Sequence, residues 1–172
     1  PFFAQVQIFE PHRSFPKDGV PSRELIIDVP SWLPDVPLVR ADEAGYLASI
    51  EVLDRKVGRI LDRIDQQGLA ENTVVVFLGD HGRPQVRGKQ WLYDAGLHVP
   101  LIIRWPGVVP PGSENSELVS LIDLAPTTLA MMGFQRPNWM HGRVLLGPKA
   151  QEPVEAIFAA RDRCDETVDV IR

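Results

Sequence analysis

Two polar side chains follow directly after an apolar run of this sequence. Asp80 and His81 stand between two glycines, after the β-branched run from 72 to 79. That run predicts a strand buried on both faces, and ligands of open α/β sheets bind beyond the carboxyl ends of such strands. A carboxylate oxygen beside an imidazole could hold a metal ion and an oxyanion. The same residues also fit a turn-capping carboxylate beside a histidine without a role.

Three further side chains could join this site. His12 follows a first predicted strand over 1–9, and Lys89 lies downstream of the Asp-His pair. A lysine suits an anionic group such as sulfate or phosphate. His98 precedes a predicted strand over 99–105. Each has a plain alternative, since a lone histidine is more often structural and a loop lysine is more often solvated.

A charged cluster near the end of the chain is a weaker candidate. Arg161 and Arg163 lie where the pattern predicts a hairpin with arms at 155–163 and 167–172. Guanidinium groups match carboxylate or sulfate geometry, although a solvated turn explains the cluster as well. Cys164 is the single cysteine, which excludes an intrachain disulfide and a multi-cysteine zinc site. Its neighbours do not make it a nucleophile, so we interpret it as structural.

The elements that position these residues follow from periodicity. Apolar residues at three- and four-residue steps predict a helix over 41–67, with Asp42 as N-cap and Gly68 as its stop. The proline-rich stretch from 14 to 39 predicts an extended excursion. A short strand is predicted over 118–121. Asp123 then caps a second helix that ends at Gly133.

Composition limits the classes of function. The chain has 172 residues, 44% hydrophobic and 24% charged, with a net charge of −5. This mix predicts a globular chain with a substantial core rather than disorder. The negative charge gives no reason to expect nucleic acid as a partner. No apolar run is long enough to suggest a membrane partner. The apolar run after Pro1 has no basic region, so the sequence shows no signal-peptide pattern.

The assembled motifs resemble the sulfatase family of the alkaline phosphatase superfamily. The resemblance covers nearly the whole chain, and its late part is most similar to the sulfamidase (heparan N-sulfatase) branch and its bacterial relatives. Each segment is weak alone, but their order and spacing together are specific. The segments are 1–12 with Pro11-His12, 46–58, Gly79-Asp80-His81-Gly82, Gly88-Lys89, 93–107, Asp123-Leu124-Ala125-Pro126-Thr127 and 160–163.

The resemblance implies a fold and a set of roles. The fold is α/β, with a mostly parallel sheet flanked by helices over 1–148 and the start of a small antiparallel C-terminal subdomain over 149–172. Asp80 and His81 match calcium ligands, Lys89 matches the lysine that holds the sulfate, and His12 matches a histidine at the leaving group. Substrate contacts are expected from His98, Arg161 and Arg163. The implied reaction is hydrolysis of a sulfate ester or sulfamate on a carbohydrate or another sulfated small molecule.

Two departures from the family limit what this chain can do. The family's formylglycine nucleophile arises from Cys or Ser in C/S-x-P-S-R, whereas Gly19 stands at that place before Pro21-Ser22-Arg23. The nucleophile is therefore expected upstream of this chain. Asp80 and His81 supply only part of a calcium shell, which takes six or more ligands. We therefore expect a fragment that begins and ends inside a sulfatase and has no sulfatase activity alone.

Two alternatives remain at the level of sequence. One is a phosphoryl-transfer member of the same superfamily, and the other is a non-catalytic α/β interaction domain. Sheet edges left unpaired in a fragment would favour self-association. The compartment is not fixed by the sequence, since members of the family are often periplasmic, secreted or lysosomal.

Overall fold

The long helix is the dominant element of the computed structural model, which describes residues 2–15, 27–162 and 168–171. Helix α1 spans Pro37–Gln66, so it begins earlier than predicted, because Pro37 fits a first turn that does not need its N–H. The predicted N-cap is wrong: Val36 holds that place, and Asp42 lies within the helix. The predicted stop is confirmed, since Gly68 follows with φ at +67°.

The chain divides into two compact units. The first consists of Pro1–Thr73 and Leu78–Pro100, and the second of Val74–Phe77 and Leu101–Arg172. The first unit holds α1, a 3₁₀ turn over Ala70–Asn72 and the short helix α2, Asp94–Leu97. His12, Asp80, His81, Lys89 and His98 therefore all belong to the first unit.

Strands β1 (Val75–Leu78) and β2 (Leu101–Arg104) pair in a two-stranded sheet. The Gly79 N–H donates to the Pro100 carbonyl at 3.0 Å, so the end of β1 lies beside the start of β2. Both strands were predicted, but burial of β1 on both faces is wrong, since Val76 and Leu78 are each 37% exposed. In the part of the chain that the structure describes, β1 has one neighbouring strand, and such a ribbon cannot cover both faces.

The second unit contains the remaining elements. A 3₁₀ turn over Leu121–Asp123 replaces the strand predicted at 118–121, and helix α3 follows over Leu124–Met131. Its predicted end is confirmed by Gly133, with φ at +82°. Strands β3 (Ala159–Asp162) and β4 (Val168–Ile171) pair antiparallel with Ala159 opposite Ile171. The predicted hairpin is thus confirmed, while its tip, including Arg163 and Cys164, lies outside the described residues.

The described residues bury little apolar surface. Ala48 and Val144 are the buried hydrophobics among them, so the substantial core predicted from chain length is not found there. Residues 2–9 form no strand, contrary to the prediction, and Phe2, Phe3 and Phe9 are each about two-thirds exposed. Among the helices of the described ranges, none combines the length and apolar character needed to cross a bilayer.

Candidate active site

The loop between β1 and β2 is folded tightly on itself. The Gly82 N–H donates to the Gly96 carbonyl at 3.2 Å. A Cβ atom at Gly82 would lie 2.0 Å from the Ala95 carbonyl oxygen, and one at Gly96 would lie 2.1 Å from that of Trp91. Backbone approaches this close are open only to glycine. The sequence therefore builds a compact loop directly after β1, and the loop carries the candidate metal ligands.

Asp80 and His81 form a pair at the start of this loop. The His81 Nε2 lies 3.7 Å from an Asp80 carboxylate oxygen, and the Asp80 side chain is 79% exposed. The His81 Nδ1 lies 2.8 Å from the Gly82 carbonyl oxygen. A proton on Nδ1 satisfies that carbonyl and leaves the Nε2 lone pair available for a metal. The two donor atoms are thus near enough to contact one cation.

A complete metal site is not formed by the described residues. Among them, no group of three or more His, Cys, Asp or Glu side chains is placed to hold an ion. A hard cation such as Ca²⁺ takes six to eight oxygen-rich ligands. Asp80 and His81 therefore fit part of such a shell.

Lys89 lies in a turn that returns to the Asp-His pair. Its N–H donates to the Arg83 carbonyl at 2.8 Å, which brings the backbone of Lys89 beside the residue that follows Gly82. Two non-glycine residues flank Lys89 with left-handed backbone, Arg87 at φ +65° and Gln90 at φ +75°. Such conformations are uncommon outside glycine and concentrate at functional sites. The sequence pattern gave no sign of them.

His12 lies on a separate, exposed segment that contacts this loop through its neighbour. The His12 N–H donates to the Phe9 carbonyl at 3.0 Å, and its Nδ1 contacts the Arg13 carbonyl. The imidazole packs against Phe9 with ring centroids 4.7 Å apart. Arg13 then donates from Nε to the Pro84 carbonyl at 3.4 Å. The structure therefore brings the His12 segment to the loop of Asp80, His81 and Lys89.

The other predicted ligand-binding residues are placed differently. His98 is exposed and follows α2, where its N–H donates to the Asp94 carbonyl at 2.8 Å. Arg161 lies on β3 in the second unit and is half-buried. Arg163 lies outside the described residues. The structure thus places His98 in the same unit as the Asp-His pair, and Arg161 in the other.

A group of charged residues around the site was not predicted from the sequence. Arg83 forms an ion pair with Glu43, which is 4% exposed although it lies on a helix. Arg13 forms a second pair with the neighbouring Asp42. The available signal was an arginine directly after Gly-Asp-His-Gly, together with adjacent acidic residues near the start of a helix.

The model of the sulfatase family matches residues 1–134. This range includes α1 and the whole loop that carries Asp80, His81 and Lys89. The chain belongs to the sulfatase family. The resemblance inferred from the motifs is thereby confirmed, and neither a phosphoryl-transfer enzyme nor an interaction domain is favoured by any of the matches below.

This sulfatase chain is similar to proteins whose names include a sulfated compound or a polysaccharide. It is 37% identical over 151 residues to an ulvan-active sulfatase of Formosa agariphila, an alignment that covers 88% of the chain and 25% of that protein. It is 30% identical over 151 residues to human N-sulphoglucosamine sulphohydrolase, with coverage of 81% and 30%. The chain therefore spans between a quarter and a third of the length of these relatives.

The assignment of the fold is supported by superposition on a solved structure. A Bacteroides fragilis protein described as a sulfatase superposes with a TM-score of 0.62 at 27% identity, covering 84% of this chain and 31% of that one. The predicted α/β class of the alkaline phosphatase type is thereby confirmed. Sulfatases generally use a formylglycine nucleophile and a divalent metal ion.

Proposed function

We propose that this chain forms part of the active site of a sulfatase that hydrolyses a sulfate ester or a sulfamate on a carbohydrate. Overall, such a hydrolysis consumes one water molecule, breaks the sulfur–oxygen or sulfur–nitrogen bond, and releases sulfate and the free hydroxyl or amine. Family membership supports the reaction class. The relatives named for ulvan and for N-sulphoglucosamine support a sulfated carbohydrate as the substrate.

Asp80 and His81 would supply two ligands to a calcium ion. Their donor atoms lie 3.7 Å apart at the end of a strand, and the exposed carboxylate can rotate towards an ion. The remaining ligands and the formylglycine would come from a segment outside this chain, because C/S-x-P-S-R is absent from its sequence. In this arrangement the calcium ion would neutralise charge on the sulfate group.

Lys89 would hold the sulfate, and His12 would contact the leaving group. The observation that carries this proposal is the hydrogen bond from the Lys89 N–H to the Arg83 carbonyl, since it folds the lysine back towards the Asp-His pair. The Arg13 contact to the Pro84 carbonyl supports the placement of His12 near the same loop. His98, Arg161 and Arg163 are proposed to bind more distant groups of the sugar.

We also propose the division of the chain at residue 148. Residues 1–148 would belong to the catalytic α/β domain, and 149–172 would begin the small C-terminal subdomain. The antiparallel pairing of β3 with β4 supports the second part of this division.

Binding of glucosamine N-sulfate to the purified chain, followed by nuclear magnetic resonance, tests the site. Replacing Lys89 with alanine should weaken binding about tenfold, because a charged hydrogen bond to the sulfate is lost. Lys149→Ala removes an exposed lysine of the second unit and should change the affinity less than about twofold. Equal affinity of the two variants would contradict the role of Lys89.

The same preparation tests where the nucleophile lies. The chain alone should not turn over an aryl sulfate, because it lacks a residue that can become formylglycine in the family's motif. Turnover that Asp80→Ala abolishes would show that a nucleophile is present within the 172 residues. As an independent test, sequencing upstream of Pro1 should reveal the motif C/S-x-P-S-R.

Self-association of the chain is a further part of this proposal. Ile102 is 63% exposed on β2, and Val76 and Leu78 are exposed on β1. Exposed apolar strands with unpaired edges invite pairing with another copy. Light scattering should show dimers or larger species whose mass rises with protein concentration. A monodisperse monomer at high concentration would contradict this expectation.

A further inference from the structure

We propose that two adjacent acidic residues of α1, Asp42 and Glu43, are positioning residues that each hold a different segment of the site. Asp42 would hold the His12 segment, and Glu43 would hold the loop of Asp80, His81 and Lys89. The inference rests on the proposed function, because the two segments carry the proposed metal and sulfate ligands. It is carried by ion pairs that lie within the first unit.

The Asp42 pair is bidentate. The two terminal nitrogens of Arg13 donate to the two carboxylate oxygens of Asp42 at 2.7 and 2.5 Å. This geometry uses the planar guanidinium fork, which a lysine could not reproduce. The hydrogen bond to Asp42 also raises the pKa of Arg13. Since Arg13 directly follows His12, the pair fixes where that histidine lies along α1.

The Glu43 pair is the more buried of the two. The Arg83 Nη2 donates to a Glu43 carboxylate oxygen, with side-chain exposures of 22% for Arg83 and 5% for Glu43. Arg83 also donates from Nε to the Gln85 side-chain oxygen at 3.1 Å. A buried carboxylate that loses its partner cannot recover hydration, so this pair resists opening more than an exposed one does.

Aromatic rings complete both attachments. The Arg13 guanidinium lies over the Phe15 ring at 4.7 Å, and that of Arg83 lies over Tyr46 at 4.9 Å. Phe15 and Tyr46 themselves meet edge to face with centroids 5.8 Å apart. Burial raises the pKa of the Tyr46 hydroxyl. Each arginine is therefore held by one carboxylate of α1 and one ring.

The Glu43 attachment reaches Lys89 through the backbone. Arg83 is the residue whose carbonyl accepts the Lys89 N–H. Gly88 packs on the same carbonyl so closely that a Cβ there would lie 1.9 Å from its oxygen. Holding the Arg83 side chain therefore fixes the turn that aims Lys89. Asp42 reaches this loop through Arg13, which donates to the Pro84 carbonyl at 3.4 Å, and not through the Arg83 carbonyl that accepts the Lys89 N–H. The two acidic residues should therefore act mainly on different segments.

Hydrogen exchange of backbone amides in the purified chain separates the two attachments. Glu43→Gln should speed exchange of the Lys89 amide about tenfold and leave the His12 amide nearly unchanged. Asp42→Asn should speed exchange of the His12 amide about threefold, because that pair is more exposed. Asp62→Asn makes the same change on an exposed position of α1 and should move neither amide.

The outcomes distinguish positioning from a general structural role. Faster exchange at both amides in both variants, or at neither, would overturn the proposal. Should Glu43→Gln fail to fold, Arg83→Lys replaces it. That variant keeps the charge, loses the guanidinium fork, and should speed exchange at Lys89 about threefold.

A second measurement separates this inference from the proposed function. Glu43→Gln should also weaken binding of glucosamine N-sulfate, although Lys89 itself is unchanged. If the wild-type chain binds no glucosamine N-sulfate, the proposed function fails while the exchange experiment still tests the attachments. If binding is normal and exchange at Lys89 does not respond to Glu43→Gln, the positioning role fails alone.

Discussion

Two regions of this molecule use charged side chains in opposite ways. In the first unit, the Asp80–Lys89 loop is held to α1 by the ion pair of Arg83 with Glu43, while the Asp80 carboxylate is left exposed. In the second unit, Arg143 is 8% exposed and its terminal nitrogens donate mainly to backbone carbonyls. Its acceptors, at 3.0–3.3 Å, are the carbonyls of Leu118, Gln151 and Glu152 and the side chain of Glu117.

The second region also satisfies its buried carboxylate with backbone groups. Asp123 accepts the Arg143 N–H at 2.8 Å and the Ser120 N–H at 3.0 Å. Thr127, equally buried, donates to the Asp123 carbonyl at 2.6 Å and accepts the Leu145 N–H at 2.9 Å. Charged groups that bind backbone atoms fix loops in one conformation. Charged groups that bind each other position segments and leave other polar atoms available to a ligand.

The largest effect should follow from removing Arg143. Arg143→Met removes a buried guanidinium that donates to three backbone carbonyls and to Glu117, and should lower the free energy of unfolding by about 3 kcal/mol. Arg136→Met removes an exposed arginine that donates to the carbonyls of Met140 and Gly142, and should cost less than about 1 kcal/mol. Urea denaturation measures both. Similar losses of stability in the two variants would mean that the buried Arg143 contributes no more than the exposed Arg136.

A smaller effect should follow from crowding the site loop. Gly82→Ala places a methyl group against the Ala95 carbonyl and should lower the free energy of unfolding by about 2 kcal/mol. Gly58→Ala adds the same group inside α1, where the described residues place no atom within 4 Å apart from the helix's own nearby backbone and chain neighbours. This change should raise the free energy of unfolding by up to about 1 kcal/mol. Thermal unfolding of the two variants measures both changes. If Gly82→Ala does not lower the stability, the loop is less rigid than its closely packed glycines indicate.

The smallest effect concerns a pair on the outer part of α1. Lys56 donates to both Glu10 carboxylate oxygens at 2.7 and 2.6 Å. That hydrogen bond lowers the pKa of Glu10 below its ordinary value of 4.5. The pair therefore contributes stability above pH 4.5, and this contribution is lost as the pH falls through the lowered pKa.

Melting temperatures across pH test this pair. Glu10→Gln should melt below the wild type at neutral pH, and the difference should shrink at acidic pH as the Glu10 carboxylate becomes protonated. Glu71→Gln, at an exposed position, should track the wild type throughout. A difference for Glu10→Gln that is the same at both pH values would show that the pair contributes through packing and not through charge.

The parts of the molecule that the sequence predicts are those set by local signals. The stops at Gly68 and Gly133, and the position of β1 before Gly79, follow from residue types within a few positions. Asp80 and His81 are predictable as a pair because they are adjacent. The strand predicted over 1–9 is not found over the described residues 2–9, because alternation alone does not provide a neighbouring strand.

The surroundings of the site depend on contacts between distant residues. Asp42 fits an N-cap by its position, but the actual role of its carboxylate is decided by Arg13, far away in sequence. From the sequence, Glu43 is expected to be a solvated helix residue, but in the structure it forms an ion pair with Arg83. Such pairs cannot be predicted from hydrophobic periodicity, because each partner alone is a charged residue of a type that is mostly exposed.

The two ion pairs of the segment from Glu10 to Arg13 also fix the position of this segment along the axis of α1. Glu10 joins Lys56 and Arg13 joins Asp42, so the segment runs in the direction opposite to α1. Its four residues span at most about 10 Å, whereas Asp42 and Lys56 lie about 21 Å apart along the helix. The long side chains of Arg13 and Lys56 cover the remainder from opposite ends. Sliding of His12 along the axis in either direction is therefore opposed by one of the two restraints.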